Sequence, residues 1–154
     1  MKKIKIYIDT SVIGGLFDEE FEKYSQKLFE AFENNEFIPV ISTIVLKELE
    51  NAPENIKNAL LRLKNYEILD INSEVENLAL KYLSEKIITE KYFDDALHIA
   101  ISTINNIDVL VSWNFRHIVN LNKIHKINAV NLIENYSLLE IRSPMEVLND
   151  NENI

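Results

Sequence analysis

Three acidic residues, Asp9, Glu48 and Asp95, occupy places in the sequence where a carboxylate could take part in chemistry. Asp9 directly follows the apolar run "IYI", and burying a lone carboxylate there for the sake of the core would be costly. Carboxylate oxygens are ligands that suit Mg²⁺ or Mn²⁺. A metal ion held by several of them lowers the pKa of its bound water and so generates a nucleophile. If the fold brings these acids together, metal-assisted hydrolysis is the chemistry that they predict.

Asp9 and Glu48 each have an ordinary structural explanation as well. Asp9 could cap the turn at 11–14, because aspartate is a preferred residue at such positions. Glu48, in "STIVLKELE", could be a solvated helix acid, and Glu50 competes with it for any functional role. Each acid taken alone is therefore a weak signal, and both interpretations stay open.

The stretch "YFDDALHIA" carries Asp95 at the start of a predicted helix, on the edge of its buried face. Asp94 lies further round the helix, where His98, four residues later, is a possible ion-pair partner. Both acids could simply complement the helix dipole in its first turn, and a histidine such as His98 is more often structural than catalytic. The buried face is predicted to consist of Leu97, Ala100, Ile101 and Ile104.

A fourth position of interest offers an amide in place of an acid. In "VLVSWNFRHIVN", Asn114 follows an apolar strand and could provide an oxygen without a charge. Asparagine is also a preferred capping residue, and one amide could do both by turning its oxygen and its nitrogen to different partners. Arg116 and His117, just beyond, are candidate phosphate contacts, unless they belong to an ordinary solvated helix face.

Alternating strands and helices form the frame that must position these residues. The pattern favours a three-layer α/β/α fold with a central, mainly parallel sheet, in which sites gather at the carboxyl ends of the strands. Helix starts are marked by Ser42 or Thr43, by Pro53, and by Ser73 with Glu76 in a capping-box pattern. The predicted strands are 4–9, 37–42, 66–71, 108–113 and 127–132, and the predicted helices are 17–35, 43–51, 53–65, 73–83, 91–106 and 114–124.

Length and composition favour a single domain over residues 1–148, followed by a polar tail at 149–154. The chain has 154 residues, of which 47% are hydrophobic, and only two glycines and three prolines. It has no cysteine, which excludes disulfides and thiol chemistry and is consistent with a reducing cytoplasm. No apolar run approaches the roughly 20 residues of a membrane span, and the apolar part of "MKKIKIYID" is too short for a signal peptide.

The charge distribution bears on whether nucleic acid could be a ligand. A net charge of −9 argues mildly against nonspecific binding of nucleic acid. The stretch from Val109 to Ile133, however, contains no aspartate or glutamate. A basic strip inside an acidic protein could hold phosphates locally, although on charge alone an ordinary solvated loop and helix is the better explanation. Its basic residues and histidines are Arg116, His117, Lys123, His125 and Lys126.

Four short stretches, "YIDTSV", "IVLKEL", "DALHIA" and "LVSWNFRHI", occur in this order and carry a family resemblance. Together they resemble the PIN-domain nucleases, including the VapC-type toxins of prokaryotic toxin–antitoxin pairs, over about residues 4–130. The resemblance implies that Asp9, Glu48 and Asp95 bind Mg²⁺ or Mn²⁺ and that the protein is a metal-dependent endoribonuclease. It also implies a supporting role for Ser11, which lines the site. Asp94 could supply a fourth charge through water, because its angle on the helix disfavours direct ligation.

Asn114 is the departure from the family pattern, because many members carry a fourth acid there. Three carboxylates leave one negative charge after one Mg²⁺ has bound, which is a sensible one-metal site, whereas a tight second metal would be harder to hold. The resemblance further implies an RNA substrate, an antitoxin partner that covers the cleft, and a homodimer through the helices in 17–35 and 54–64.

Two other functions remain in view. The first is a catalytically weakened PIN scaffold that binds RNA or a protein partner, an alternative favoured by Asn114 and by the net charge. The second is a phosphatase with Asp9 as nucleophile. That pattern requires a second aspartate two residues later, where Ser11 stands, so it ranks low.

Overall fold

The computed structural model of the protein describes residues 2–149, and a five-stranded sheet is its frame. All pairings between neighbouring strands are parallel. The predicted α/β/α fold with a central parallel sheet is therefore confirmed. The strand order is β3-β2-β1-β4-β5. The strands are β1 (Lys5–Ile8), β2 (Ile38–Ser42), β3 (Glu67–Leu69), β4 (Val109–Val111) and β5 (Glu140–Arg142).

The central strand β1 is fully buried from Ile6 to Ile8, as expected for a parallel strand covered on both faces. Its register sets Tyr7 beside Val40 of β2 and Ile8 beside Val111 of β4. The carboxyl ends of these three strands therefore meet at one edge of the sheet. The chain runs outward from β1 to β2 and β3, then returns to β4 on the other side of β1, so this edge includes a topological switch point.

Eight helices connect or flank the strands within the described residues. Helix α1 contacts α2, α3 and α4, and α2 contacts α8, whereas α5 contacts α6 and α7. The two groups meet where α3 contacts α6. The helices are α1 (Thr10–Gly15), α2 (Glu22–Glu33), α3 (Thr43–Leu49), α4 (Glu54–Ala59), α5 (Ser73–Ser84), α6 (Phe93–Ile104), α7 (Leu121–Ile133) and α8 (Pro144–Asn149).

The predicted strand at 127–132 is wrong, because these residues belong to α7. The Asn120 side chain accepts a hydrogen bond from the Lys123 backbone N–H and starts the helix. Ile127 and Val130 are buried, three residues apart, which is helical spacing. The predicted helix at 114–124 accordingly begins only at Leu121, after a turn, and the last strand is β5.

Several predicted helix boundaries also differ from those in the structure. The helix expected over 17–35 begins at Glu22, and Phe17 before it is exposed. Both glycines of the chain, Gly14 and Gly15, lie within α1. Asn72, and not Ser73, caps α5 by accepting a hydrogen bond from the Val75 N–H. The helix expected over 53–65 ends at Ala59 and continues only as a short 3₁₀ turn.

In the described part of the chain, none of the helices is both long enough and apolar enough to cross a membrane. The tail predicted at 149–154 lies outside the described residues, except for the backbone of Asn149 at the end of α8. The division into a domain at 1–148 and a tail stays a prediction.

Candidate active site

Asp9 lies at the end of β1 and is held by hydrogen bonds from both sides. Its Oδ1 accepts from the Ser11 hydroxyl at 2.6 Å and from the Val12 N–H at 3.3 Å, so it caps α1. Its Oδ2 accepts from the Ser112 hydroxyl at 2.6 Å. Burial raises the pKa of Asp9, and the positive charge of His98 and these hydrogen bonds offset only part of that effect. Asp9 is therefore both a cap and a fixed carboxylate at the switch point.

Glu48 extends from α3 toward the same edge of the sheet. Its Oε1 accepts from the Thr10 hydroxyl at 2.8 Å and lies 2.8 Å from Nε2 of His98. Burial alone would raise the pKa of Glu48, but the hydrogen bond and charge of His98, with the Thr10 hydroxyl, lower it below the ordinary value. Glu48 is thus an ionised acid in a fixed position, and not a freely solvated one.

His98 is buried in α6 and links Glu48 to the core. Its Nδ1 lies 2.6 Å from the Tyr7 hydroxyl, which is 2.6 Å from the hydroxyl of Ser42, the cap of α3. Burial alone would lower the pKa of His98, but the Glu48 hydrogen bond and the charges of the three acids raise it. In the protonated ring both nitrogens donate, so one donor points to Glu48 and the other to Tyr7.

Asp95 is in the first turn of α6, and its Oδ2 lies 3.3 Å from the amide nitrogen of Asn114. Burial raises its pKa; the His98 charge lowers it, and the charges of Asp9, Glu48 and Asp94 raise it further, to about 6. The repulsion shows that the acids from β1, α3 and α6 influence one another electrostatically. Asp94 is exposed, and the ion pair predicted between it and His98 does not form, because His98 faces Glu48.

Asn114 uses both ends of its amide. Its oxygen accepts from the backbone N–H groups of Arg116 at 3.2 Å and His117 at 2.9 Å, and its nitrogen donates to Asp95. It therefore caps the turn that precedes α7 and contacts the site at the same time. Its role as a metal ligand stays a prediction, and ligation through the oxygen would require these two backbone hydrogen bonds to break.

The donor atoms that these acids offer are carboxylate oxygens, which are the ligands that a hard divalent cation takes. Within residues 2–149, no group of three His, Cys, Asp or Glu side chains is arranged to hold a metal ion by itself. Mg²⁺ usually takes only one or two protein carboxylates and completes its shell with water and phosphate oxygens. In the same part of the chain, no group donates to Oε2 of Glu48 or Oδ1 of Asp95. A divalent cation could therefore bind to Oε2 of Glu48 and Oδ1 of Asp95, and it would offset the net negative charge of the acids.

The two candidate phosphate contacts are not equivalent. Arg116 is exposed beside the site. His117 instead packs its ring on Tyr92, with ring centroids 3.9 Å apart, and its Nδ1 lies 3.3 Å from Nζ of Lys123. Burial and the nearby charges of Lys123 and Arg116 lower the pKa of His117. Its Nε2 is buried without a hydrogen-bond partner in the described structure. Phosphate binding by either residue stays a prediction.

Sequence reasoning missed several residues that hold the site together. Ser112 donates to Asp9 and accepts from the Asn114 N–H at 2.9 Å, and its position at the end of a strand was the available signal. Thr10 and Tyr7 carried no such signal, because their partners lie far away in the sequence. His98 was visible in "DALHIA", but its role depends on contacts that only the fold creates.

Comparison with known proteins gives matches to one family model and to solved structures. A family model described as the PIN domain matches residues 6–120. No functionally curated protein gives a significant match.

Three of the solved structures that match are described here. One match is a chain of VapBC2 from Rickettsia felis, in a structure with a DNA fragment from the VapBC2 promoter. It is 19% identical, with a TM-score of 0.57, and the match covers 91% of this chain and 98% of that chain. VapC20 of Mycobacterium tuberculosis, a Sarcin-Ricin loop cleaving toxin, is 17% identical, with a TM-score of 0.57 over 73% and 92%. A chain of a toxin–antitoxin complex from Klebsiella pneumoniae is 15% identical, with a TM-score of 0.55. The match covers 77% of this chain and 93% of that chain.

At these identities the solved structures establish a shared fold. The family model adds an independent match that covers most of the chain, from β1 to the cap of α7, and includes every residue of the candidate site. The chain therefore belongs to the PIN-domain family.

Proposed function

We propose that the protein is a metal-dependent endoribonuclease of the PIN type, with Asp9, Glu48 and Asp95 as its catalytic acids. One observation carries the proposal. A chain of hydrogen bonds runs from Asp9 through Ser112 and Asn114 to Asp95, and His98 on the same helix as Asp95 holds Glu48, so the three acids form one connected group. That group lies at the switch point of a parallel sheet, where ligands bind in folds of this type.

The chain itself supplies a held and partly neutralised set of oxygen ligands. Asp9 is fixed by the hydroxyls of Ser11 and Ser112, and Glu48 is oriented by His98. Asp9, Glu48 and Asp95 would hold Mg²⁺ or Mn²⁺, with Asn114 and Asp94 in support. When bound, the cation would supply a water of lowered pKa and would neutralise charge on the phosphate.

The biological setting that we infer is the toxin of a toxin–antitoxin pair. Support comes from the solved structures that share the fold, two of which are toxin–antitoxin complexes and one of which is an RNA-cleaving toxin. RNA is then the substrate, Arg116 and His117 contact its phosphates, and an antitoxin covers the acids. A homodimer through the helices within 17–35 and 54–64 belongs to the same proposal.

The test is cleavage of a mixed RNA pool in Mn²⁺ or Mg²⁺, with and without EDTA. We expect cleavage that stops on chelation and falls at least 100-fold in Asp9→Ala and in Asp95→Asn, because removing one charge-stabilising group costs about this much. Asp108→Asn is the matched control: it makes the same change at the amino end of β4, where Asp108 accepts only the Lys5 N–H. Activity that survives EDTA or Asp95→Asn would contradict the mechanism.

A second candidate function is a PIN scaffold that binds RNA or a protein without cleaving RNA. The amide at Asn114, whose oxygen is used by the backbone, favours it. Calorimetric titration with Mn²⁺ separates the two. Metal binding with an affinity that falls in Asp95→Asn supports the nuclease, whereas RNA or partner binding in the absence of any metal binding supports the scaffold.

A further inference from the structure

The central strand of the sheet contains a polar group that its packing does not require. Tyr7 lies in the middle of β1, where Ile6, Tyr7 and Ile8 are all fully buried. Such a strand, covered on both faces, is normally made of apolar residues. Burying a hydroxyl there is costly unless it is hydrogen-bonded, and phenylalanine would fill nearly the same volume without that cost. The Tyr7 hydroxyl therefore requires an explanation beyond core packing.

The hydroxyl of Tyr7 contacts both of the helices that carry candidate acids. It lies 2.6 Å from Oγ of Ser42 and 2.6 Å from Nδ1 of His98. Ser42 is the N-cap of α3, the helix that carries Glu48. His98 belongs to α6, the helix that carries Asp95 in its first turn. One oxygen atom from the central strand thus connects the start of α3 with α6.

From Tyr7 the hydrogen bonds continue to the acid of α3. The second ring nitrogen of His98, Nε2, lies 2.8 Å from Oε1 of Glu48. We call Ser42, Tyr7, His98 and Glu48 the Tyr7 network. Its first three side chains are at most 2% exposed, so water does not compete for their hydrogen bonds. The network therefore holds the Glu48 carboxylate from inside the protein.

The Tyr7 network is complete whichever protons the His98 ring carries. A neutral ring can accept from the Tyr7 hydroxyl at Nδ1 and donate to Glu48 from Nε2, and the Ser42 hydroxyl then donates to Tyr7. A protonated ring donates from both nitrogens, and the Tyr7 hydroxyl then donates to Ser42. Tyrosine serves in both arrangements because its hydroxyl donates and accepts. Phenylalanine serves in neither.

Holding one oxygen of Glu48 determines where its other oxygen lies. Oε1 accepts from the Thr10 hydroxyl and contacts His98, whereas no group within residues 2–149 donates to Oε2. Asp95 and His98 are three residues apart on α6 and so lie on one face of that helix. The contact between His98 and Glu48 therefore also sets the position of Glu48 relative to Asp95. Groups that hold a ligand side chain in this way strengthen metal binding without touching the metal.

We propose that Tyr7 is a positioning residue, whose hydroxyl acts through His98 to set the Glu48 carboxylate against Asp95 so that the two acids can bind one divalent cation. This inference rests on the proposed function and adds to it a residue of the core. Tyr7 itself touches neither the cation nor the RNA. The competing explanation is that the hydroxyl only stabilises the core, and metal binding distinguishes the two.

The test compares two substitutions that each remove one buried hydroxyl. Tyr7→Phe keeps the ring contact with His98, whose centroid lies 5.7 Å from that of Tyr7. Tyr82→Phe is the matched control, because Tyr82 is equally buried and its hydroxyl donates to Asn131 of α7. Both variants should lose stability, since each loses a buried hydrogen bond.

Calorimetric titration with Mn²⁺, at a temperature where both variants are fully folded, measures the difference. We expect Tyr7→Phe to bind Mn²⁺ about 10-fold more weakly than the wild type. This is the lower end of the effect of removing a partner of a metal ligand, because Tyr7 acts through a second residue. Tyr82→Phe should bind Mn²⁺ like the wild type.

A double-mutant cycle with Glu48→Ala tests whether Tyr7 acts through Glu48. In the Glu48→Ala protein, Tyr7→Phe should cause no further loss of Mn²⁺ affinity. Urea unfolding of the same four proteins in EDTA provides a readout that needs no metal. Residues that belong to one hydrogen-bonded network have non-additive effects on the free energy of unfolding, so we expect the effects of Tyr7→Phe and Glu48→Ala to be non-additive.

The inference is overturned if Tyr7→Phe binds Mn²⁺ as tightly as the wild type, or if Tyr82→Phe weakens binding by the same factor. It is also overturned if the two substitutions of the cycle are additive in urea. A wild-type protein that binds no Mn²⁺ and cleaves no RNA would instead contradict the proposed function. In that case the urea cycle in EDTA still decides whether Tyr7 is coupled to Glu48.

Discussion

His98 Nε2 lies 2.8 Å from Glu48 Oε1, and this contact joins α6 to α3 across the carboxyl edge of the sheet. Removing the ring takes away one of the two hydrogen-bond partners of Glu48 Oε1 and one of the two partners of the Tyr7 hydroxyl. We expect His98→Ala to lower the free energy of unfolding by about 2–4 kcal/mol, because a buried hydrogen-bonded group and its packing are lost. Urea unfolding in EDTA measures this. His125→Ala is the control, since His125 is exposed, and equal effects in the two variants would contradict a structural role for His98.

Asp95 should make the metal-free protein less stable as the pH rises. Its folded pKa of about 6 lies above its ordinary value of 3.8, mainly because of burial. The folded state therefore binds the proton more tightly, and the stability this contributes is complete below pH 3.8 and is lost as the pH rises through about 6. We expect Asp95→Asn to be more stable than the wild type at about pH 7.5 in EDTA, and the gap to close toward about pH 4. Melting curves measure it; a gap independent of pH would be inconsistent with the raised pKa.

Asn114→Asp should strengthen metal binding. The new carboxylate can still accept the backbone hydrogen bonds from Arg116 and His117, but it replaces the N–H donor that faces Asp95 with a negative oxygen. We expect a lower melting temperature than the wild type in EDTA and a larger upward shift on addition of Mn²⁺, because a dication relieves repulsion between carboxylates. Asn114→Ala, which loses the cap without adding charge, is the control. An Mn²⁺ shift equal to that of the wild type would mean that Asn114 is only a cap.

Ser112→Ala should loosen Asp9. The variant removes the 2.6 Å hydrogen bond to Oδ2 of Asp9 and the acceptor of the Asn114 N–H. With buried groups left unpaired, we expect a loss of about 1–3 kcal/mol in the free energy of unfolding and weaker Mn²⁺ binding by calorimetry. Ser84→Ala serves for comparison, because the Ser84 hydroxyl donates only to the Lys81 carbonyl at an exposed site. The prediction fails if Ser112→Ala and Ser84→Ala lower the free energy of unfolding by the same amount.

The two adjacent glycines of α1 should respond in opposite ways to alanine. A Cβ on Gly15 would lie 2.6 Å from Oγ of Ser25 and 2.8 Å from Nε1 of Trp113, whereas a Cβ on Gly14 would meet nothing within 4 Å. Overpacking in Gly15→Ala should cost about 1–3 kcal/mol, and Gly14→Ala should gain about 0.5–1 kcal/mol from helix propensity. Urea unfolding followed by tryptophan fluorescence measures both. A Gly15→Ala variant as stable as Gly14→Ala would refute the close approach of α1 to Ser25 and Trp113.

The sequence predicted features that depend on local pattern. The apolar runs before Asp9 and Asn114 identified β1 and β4, and the preference of asparagine for caps anticipated the turn after Asn114. The strand predicted at 127–132 was wrong because short apolar runs are ambiguous between strand and helix. The structure shows that these residues are helical, because Asn120 caps the helix and the buried residues Ile127 and Val130 are three positions apart.

The site was harder to predict where its contacts are long-range. His98 and Glu48 are 50 residues apart in the sequence, and Ser112 and Asp9 are 103 apart. Periodicity within α6 suggested Asp94 as the partner of His98, since both lie on one helix. The buried ring of His98 instead pairs with Glu48, which lies on another helix. The distance between the two helices cannot be read from the sequence.

While the chain is being synthesised, β1 has a partner on only one side until Val109–Val111 has emerged. An incomplete chain can carry Asp9, Glu48 and Asp95, yet Ser112 and the turn with Asn114 are still missing. Because Ser112 supplies one of the three hydrogen bonds that hold the Asp9 carboxylate, this acid is fully held only once β4 and the turn after it have been made.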